Sequence, residues 1–218
     1  MASEIEADHN REPQRSLPRV VVFVTQRQHN RLALLVQQQP DGEAELPHAD
    51  VELYEAPADA SLRLLRNLTG ITRPVDIQRI ALVRERLPKD TRVMLRPVYL
   101  RTGPSFDATL MRFTLDRGLR VRLIEAQDDF ARISFEEMAL RENELVIATR
   151  RFGWVTIDAL ASRIEHHLFH IKVSNGQIEQ ATGARTPENL TWAPLDSPPR
   201  LTAIHQQWLE RARPLLMR

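Results

Sequence analysis

Hydrophobic residues along this chain follow two periodicities, one typical of β-strands and one typical of α-helices. Short runs of β-branched and aliphatic residues between polar turns predict strands, and apolar residues at helical spacing predict two helices. The predicted strands cover residues 19–25, 32–36, 77–87, 92–101, 167–173 and 190–196. The predicted helices lie between Pro57 and Gly70 and near the carboxyl end. This pattern predicts an α/β protein of the α+β type, with a mixed sheet and flanking helices.

The first predicted helix has clear start and stop signals. Pro57 suits a first helical turn, Asp59 lies near the positive end of the helix dipole, and Gly70 follows the last apolar residue. Its apolar residues span an arc of roughly 200°, about twice the usual apolar stripe. They are Ala60, Leu62, Leu64, Leu65 and Leu68. We therefore expect this helix to contact apolar groups on more than one side.

The loop and helix over residues 45–71 resemble the Nudix box, the motif of a family of pyrophosphate-hydrolysing enzymes. In that motif a glutamate precedes an arginine with seven residues between them, and Glu55 and Arg63 have this spacing. The other matching residues are Leu65, Gly70 and Ile71 and, in the lead-in loop, Pro47, Val51 and Glu52. The resemblance implies a structural role for Gly70 and an ion pair between Glu55 on the loop and Arg63 on the helix.

The positions that hold metal-binding glutamates in Nudix enzymes are not acidic here. They are Leu64, Asn67 and Leu68, which share one helical face because they lie three and four residues apart. A Mg²⁺ ion that bridges a pyrophosphate needs hard oxygen ligands, and these three side chains offer one neutral oxygen. The loop glycines of the family are replaced by His48, Ala49 and Tyr54. The resemblance therefore implies a Nudix-like domain that has lost hydrolysis, with a degenerate Nudix box.

The predicted elements follow the Nudix order in two pieces separated by an insertion. Trp192 and its neighbours resemble the family strand that precedes the last helix, and Ser197 with two prolines predicts the start of that helix. The predicted inward residues of this helix are Leu201, Ile204, Trp208 and Leu215. The predicted organisation is a disordered tail over residues 1–17, Nudix-like parts over 18–103 and 163–218, and an all-β insertion over 104–162.

The insertion has the alternation of half-buried strands. Leu119, Val121 and Leu123 alternate with arginines, and a Gly-Trp-Val run at residues 153–155 follows. These features weakly resemble a bacterial Src-homology-three-type small barrel. An irregular β extension of the main sheet is the alternative.

Composition narrows the class of protein. The chain has 218 residues, 42% hydrophobic and 27% charged, with a net charge of +1. This balance does not favour nucleic acid as a partner. Without cysteine there is no disulfide, thiolate nucleophile or thiolate metal site. No apolar run is long enough to span a bilayer and no signal peptide is visible, so we expect a cytoplasmic protein without membrane association.

Further polar side chains are candidates for binding. His48 is a candidate ligand contact, and Arg84 and Arg86, which alternate to one side of a strand, are candidate phosphate contacts. Packing or a solvated surface is the alternative for each. Carboxylates that could substitute for the missing metal ligands are Glu52 and Glu55, with Asp50, Glu136 and Glu137 as further candidates.

Three histidines form an HHxxH cluster, His166, His167 and His170. In a strand, His166 and His170 share a face but lie about 13 Å apart, too far for one metal ion, whereas in a helix they could chelate one. We therefore expect surface or edge histidines. Trp154, Trp192 and Trp208 are expected to pack in cores instead of stacking on bases.

Three functions fit these observations. The first is a Nudix-like pseudoenzyme that binds a nucleotide-like ligand, or a protein partner or second copy, and needs no cofactor. Its apolar helix face at Leu64 and Leu68 would then be covered by the insertion or by another subunit. The second is an active Mg²⁺-dependent hydrolase of nucleoside diphosphate derivatives that uses substitute carboxylates. The third is regulation by nucleotide binding without turnover.

Overall fold

The computed structural model describes residues 15–28, 31–40, 42–141, 144–174, 177 and 189–217. In chain order the first elements are β1 Ser16–Gln28, β2 Arg31–Gln38, β3 Ala44–Glu45, β4 His48–Asp50, α1 Pro57–Thr69 and β5 Asp76–Arg86. Then follow β6 Thr91–Met94, β7 Val98–Arg101, β8 Leu110–Leu115, β9 Arg120–Gln127, β10 Phe130–Arg141 and β11 Glu144–Thr156. A 3-10 turn, Ile157–Ala159, precedes β12 Leu160–Ala161, β13 Arg163–Val173, β14 Leu190–Pro194 and α2 Ala203–Leu216.

The chain divides into two compact units, which we call the αβ unit and the β unit. The αβ unit comprises Pro18–Arg84 and Glu165–Arg218, and the β unit comprises Glu85–Ile164 with the residues up to Leu17. The first boundary between the two units therefore lies before residue 103, where the sequence predicts it, because β6 and β7 pair with strands of the β unit. Of the tail expected over residues 1–17, residues 1–14 lie outside the described part of the chain. Leu17 already belongs to β1 and is fully buried.

The αβ unit is a sheet with one helix packed on each face. Its strand order is β14-β2-β1-β13-β5, with β3 beside β2 and β4 beside β1. The α1 layer contains Ala60, Leu64 and Leu65 against even-numbered residues of β1, and the α2 layer contains Trp208 and Leu209 against Val21 and Phe23. Both faces of β1 are covered, which explains its unbroken apolar run. The α+β class predicted from the sequence is confirmed.

Helix α1 agrees with its predicted bounds. Pro57 lies in its first turn, and Gly70 ends it in the left-handed conformation at φ 74°, with its N–H donated to the Arg66 carbonyl oxygen at 2.8 Å.

Helix α2 differs from its prediction in start and in phase. It begins at Ala203, and Pro198 and Pro199 lie before it, outside any helix or strand. The residues that it buries are His205, Trp208, Leu209, Ala212 and Leu216. Ile204 and Leu215 are exposed, so of the predicted inward residues only Trp208 lies on the buried face of the helix. Leu201 is buried ahead of it.

The β unit contains a second sheet with the order β12-β6-β9-β10-β11-β7-β8. It is separate from the sheet of the αβ unit, so the insertion is not an extension of the main sheet. Its described pairings run from β12 to β8, and closure into a barrel remains a prediction. Gly153 has a packing reason: a Cβ there would lie 3.0 Å from Leu100, which is fully buried.

The predicted strand over 92–101 is two strands, β6 and β7. Pro97 lies between them and has no N–H to donate to a ladder.

Candidate functional site

The loop before α1 is tied to the helix by one arginine, in an arrangement that we call the clasp (Asp50, Glu52, Glu55 and Arg63). Arg63 donates from Nε to Oε1 of Glu55 and from Nη2 to Oε2 of Glu55, both at 2.8 Å. Nη2 also donates to the Asp50 carbonyl oxygen at 3.0 Å, and Nη1 lies 3.4 Å from Oε1 of Glu52. A bidentate pair of this kind fixes geometry as well as charge.

Glu55 completes the clasp from the loop side. Its Oε2 accepts the backbone N–H of Glu52 at 2.9 Å. The hydrogen bond from Arg63 is the main cause that holds the pKa of Glu55 below its ordinary value, and the same bond raises the pKa of Arg63. Both side chains are therefore charged at neutral pH and form an ion pair with each other.

The tip of this loop carries an exposed apolar pair in a strained conformation. Tyr54 has φ 66° and is fully exposed, and Leu53 beside it is 61% exposed. A positive φ is uncommon for a bulky residue and costs about 1–3 kcal/mol, so the clasp holds the loop in a conformation that the chain would otherwise avoid.

The three degenerate metal positions lie in different surroundings. Leu64 is 7% exposed and belongs to the α1 layer of the core, with Leu68 packed partly buried against that layer. Asn67 is exposed. Every described residue of this core layer comes from the αβ unit, so the insertion expected to cover Leu64 does not contribute to the layer, and cover of Leu68 by another subunit stays a prediction. The two-sided contact expected for α1 is also absent from the described residues, whose buried positions on α1 form one stripe.

The candidate substitute carboxylates are all paired with arginine. Asp50 accepts from Nε of Arg19 at 2.8 Å, and Glu52 and Glu55 face Arg63. Glu136 and Glu137 lie in β10, not in a turn, and pair with Arg150 and Arg151. Within the described residues, no three His, Asp or Glu side chains come close enough together to hold a metal ion.

His48 lies against the helix α2 and not in an open loop. Its ring centroid is 5.7 Å from that of His205, and its Nδ1 is 3.2 Å from the Leu46 carbonyl oxygen. His205 is buried, and its Nδ1 accepts the backbone N–H of Leu46 at 3.2 Å. Burial is the main cause that lowers the pKa of His205 to about 4.

The HHxxH histidines are buried, so their expected surface or edge position is wrong. They lie on β13, which runs between β1 and β5 and is covered on both faces. His166 contacts Trp208 with ring centroids 4.7 Å apart, and His170 is hydrogen-bonded to Thr25 at 2.8 Å. Burial lowers the pKa of His167, and lowers that of His170 to about 4.

The two candidate phosphate arginines are exposed. Arg84, in the αβ unit, donates to Glu165 at 3.0 Å. Arg86 belongs to the β unit. Phosphate contact by either one stays a prediction.

A cavity that the sequence reasoning missed lies at the turn between β1 and β2. It has a volume of about 650 Å³, and its lining includes Arg27, Arg31, Lys172 and Arg213. These residues come from three distant parts of the sequence, and the one local signal is the pair of arginines on either side of the turn.

The sequence matches no protein-family model and no curated protein. Solved structures similar to the chain include Shewanella oneidensis NrtR complexed with a 27mer DNA, at 15% identity and a TM-score of 0.49, covering 92% of this chain and 62% of that one. The NUDIX domain of the same NrtR complexed with ADP ribose is 16% identical with a TM-score of 0.46, covering 99% of each chain. C. elegans Ap4A hydrolase is 10% identical with a TM-score of 0.39, covering 94% of this chain and 100% of that one.

These similar structures are Nudix proteins, as the sequence resemblance predicts. The chain spans less than two thirds of the NrtR chain bound to DNA. No described helix is long and apolar enough to cross a membrane.

Proposed function

We propose that this chain is a Nudix-like protein that binds a nucleotide-like ligand and does not hydrolyse it. The proposal rests on one observation, that the loop and the helix α1 retain the clasp but lack the acidic metal ligands. The clasp that shapes them is built, with Arg63 bidentate to Glu55 at 2.8 Å, while the metal face of the same helix has no carboxylate.

The buried position of Leu64 supports the loss of hydrolysis more strongly than the apolar nature of its side chain does. Leu64 is part of the α1 core layer, so the helix surface there faces the sheet. A glutamate in that place would be buried without a partner, which costs several kcal/mol or forces its protonation. Hydrolysis would therefore need more than one substitution to return.

Substitute carboxylates offer little support for a metal site. Asp50 and Glu55 are each held by an arginine at 2.8 Å, and Glu52 has Arg63 within 3.4 Å. A Mg²⁺ ion would have to displace these arginines, whose charge repels it.

The test is a hydrolysis assay on the full chain with Mg²⁺ or Mn²⁺. ADP-ribose and diadenosine tetraphosphate serve as probes, because these are the compounds named for the structurally similar proteins. We expect binding by calorimetry in EDTA and no turnover. Turnover that Glu52→Gln or Glu55→Gln abolishes would establish the hydrolase instead.

A protein partner is a second candidate, favoured by the exposed pair at the loop tip. Leu53 and Tyr54 are exposed on a loop that the clasp ties to the helix α1. If none of the nucleotide probes binds, contact with a protein partner through Leu53 and Tyr54 is the function that we propose for the loop.

A further inference from the structure

The cavity at the β1–β2 turn, which we call the hairpin cavity, is well separated from the clasp. Arg19 marks the clasp end of β1 through its bond to Asp50, and Arg27 marks the cavity end. At about 3.3 Å per residue these two positions are roughly 26 Å apart along the strand. The volume of about 650 Å³ lies within the usual range of small-molecule sites.

The lining of the hairpin cavity is strongly basic. It contains four cations and one carboxylate, namely Arg27, Arg31, Lys172, Arg213 and Asp196. The protein as a whole has a net charge of +1, so this concentration is local. Among the described residues the only ion-pair partner of these cations is Asp76, 3.9 Å from Nζ of Lys172. The three arginines, which have no ion-pair partner among the described residues, together with Lys172 favour an anion at this cavity.

One buried donor in the lining lacks a partner. Nε of Arg213, on the helix α2, has no hydrogen-bond acceptor within the described part of the chain. A buried donor left unsatisfied is costly, and a bound ligand or water is the usual remedy.

The rest of the lining is apolar. Leu195 and Leu216 are buried in the wall, and Met217 is 72% exposed at the rim. A site that joins cations to an apolar wall fits a ligand with an anionic end and a flat or apolar end.

We infer that the hairpin cavity binds the phosphate groups of a diphosphate-bearing small molecule, without a metal ion. Arg27 and Arg31 contact the phosphates from either side of the turn, and Lys172 and Arg213 contribute charge from the strand and the helix. Arginine binds phosphate bidentately, which replaces the neutralisation that Mg²⁺ gives at an acidic Nudix helix. The inference takes only the class of ligand, a nucleotide-like molecule, from the proposed function.

The test is calorimetry of the full chain in EDTA with two probes, pyrophosphate and ADP. The variant is Arg27→Gln/Arg31→Gln, in which both changed residues are exposed. Its control is Arg66→Gln/Arg211→Gln, which removes the same charge from exposed positions of α1 and α2 outside the cavity. Circular dichroism checks that both variants fold.

We expect both probes to bind the wild type and the control alike. The cavity variant should bind about tenfold more weakly for each arginine lost, since a hydrogen bond to a charged group contributes on that scale. Equal weakening in the control, or no binding of pyrophosphate at all, would overturn the inference. Pyrophosphate binding without ADP binding would support the cavity and refute the nucleotide ligand. Nucleotide binding that the cavity variant leaves unchanged would refute the cavity and retain the proposed function.

Discussion

The clasp between Glu55 and Arg63 should be a measurable source of stability. We consider Arg63→Met, Glu55→Gln and the double variant, which together form a double-mutant cycle. The pair makes two charge-assisted contacts at 2.8 Å, with 15% of the Glu55 side chain and 24% of the Arg63 side chain exposed. Exposed pairs contribute about 0.2–1 kcal/mol, and hydrogen bonds to charged groups about 1.5–3 kcal/mol. We therefore expect a coupling energy of about 1–2 kcal/mol for this partly screened pair.

Arg63→Met alone should cost more than the coupling energy, about 2–3 kcal/mol, because it also removes the donor to the Asp50 carbonyl oxygen and leaves Glu55 unpaired. The assay is urea unfolding followed by circular dichroism. Amide exchange at Glu52 gives a local readout, since its N–H is bonded to Glu55 and should exchange faster in each variant. Arg66→Met on the same helix is the control and should change the free energy of unfolding by less than about 0.5 kcal/mol.

The pH dependence of the clasp follows from the lowered pKa of Glu55. A carboxyl with a lower pKa in the folded state stabilises that state above its unfolded value of 4.5, and this contribution is lost as the pH falls further. A coupling energy below about 0.3 kcal/mol at pH 7, or one that does not decrease as the pH is lowered below 4.5, would refute the reasoning.

Two further predictions concern the core of the αβ unit. The pKa of His205 is lowered from 6.5 to about 4, so the unfolded chain takes up its proton first, and stability should fall from pH 6.5 downward, by roughly 2 kcal/mol at about pH 4.5. Urea unfolding across this range checks it: His205→Gln should have a shallower slope, and an unchanged slope would contradict the assignment. Leu64→Ala should cost about 2–4 kcal/mol because Leu64 is in the core, whereas exposed Asn67→Ala should stay within about 0.5 kcal/mol. Equal effects on the unfolding midpoint would show that Leu64 is not a core residue.

The helix α1 and the clasp could be predicted from the sequence because they depend on local rules. A proline in the first turn, a glycine beyond the last turn and a fixed spacing between Glu55 and Arg63 are all visible in one short stretch. The phase of α2 could not be predicted in the same way. Apolar residues occur on several sides of that helix. Packing against the sheet buries His205 and Leu209, whereas Ile204 and Leu215 are exposed.

Non-local contacts account for the rest of what the sequence did not reveal. The burial of His166 and His170 depends on β13 lying between β1 and β5, a strand order that no local pattern encodes. The hairpin cavity brings Gln26, Lys172 and Arg213 together across most of the chain. Residue types alone gave no reason to group them.

The central claim is that the helix α1 has kept its clasp and lost its metal site. Electron paramagnetic resonance of Mn²⁺ tests it most directly, by measuring free Mn²⁺ in the presence of ADP-ribose with and without the protein. We expect that adding the protein binds no further Mn²⁺. Stoichiometric Mn²⁺ binding that disappears in Glu52→Gln would contradict it.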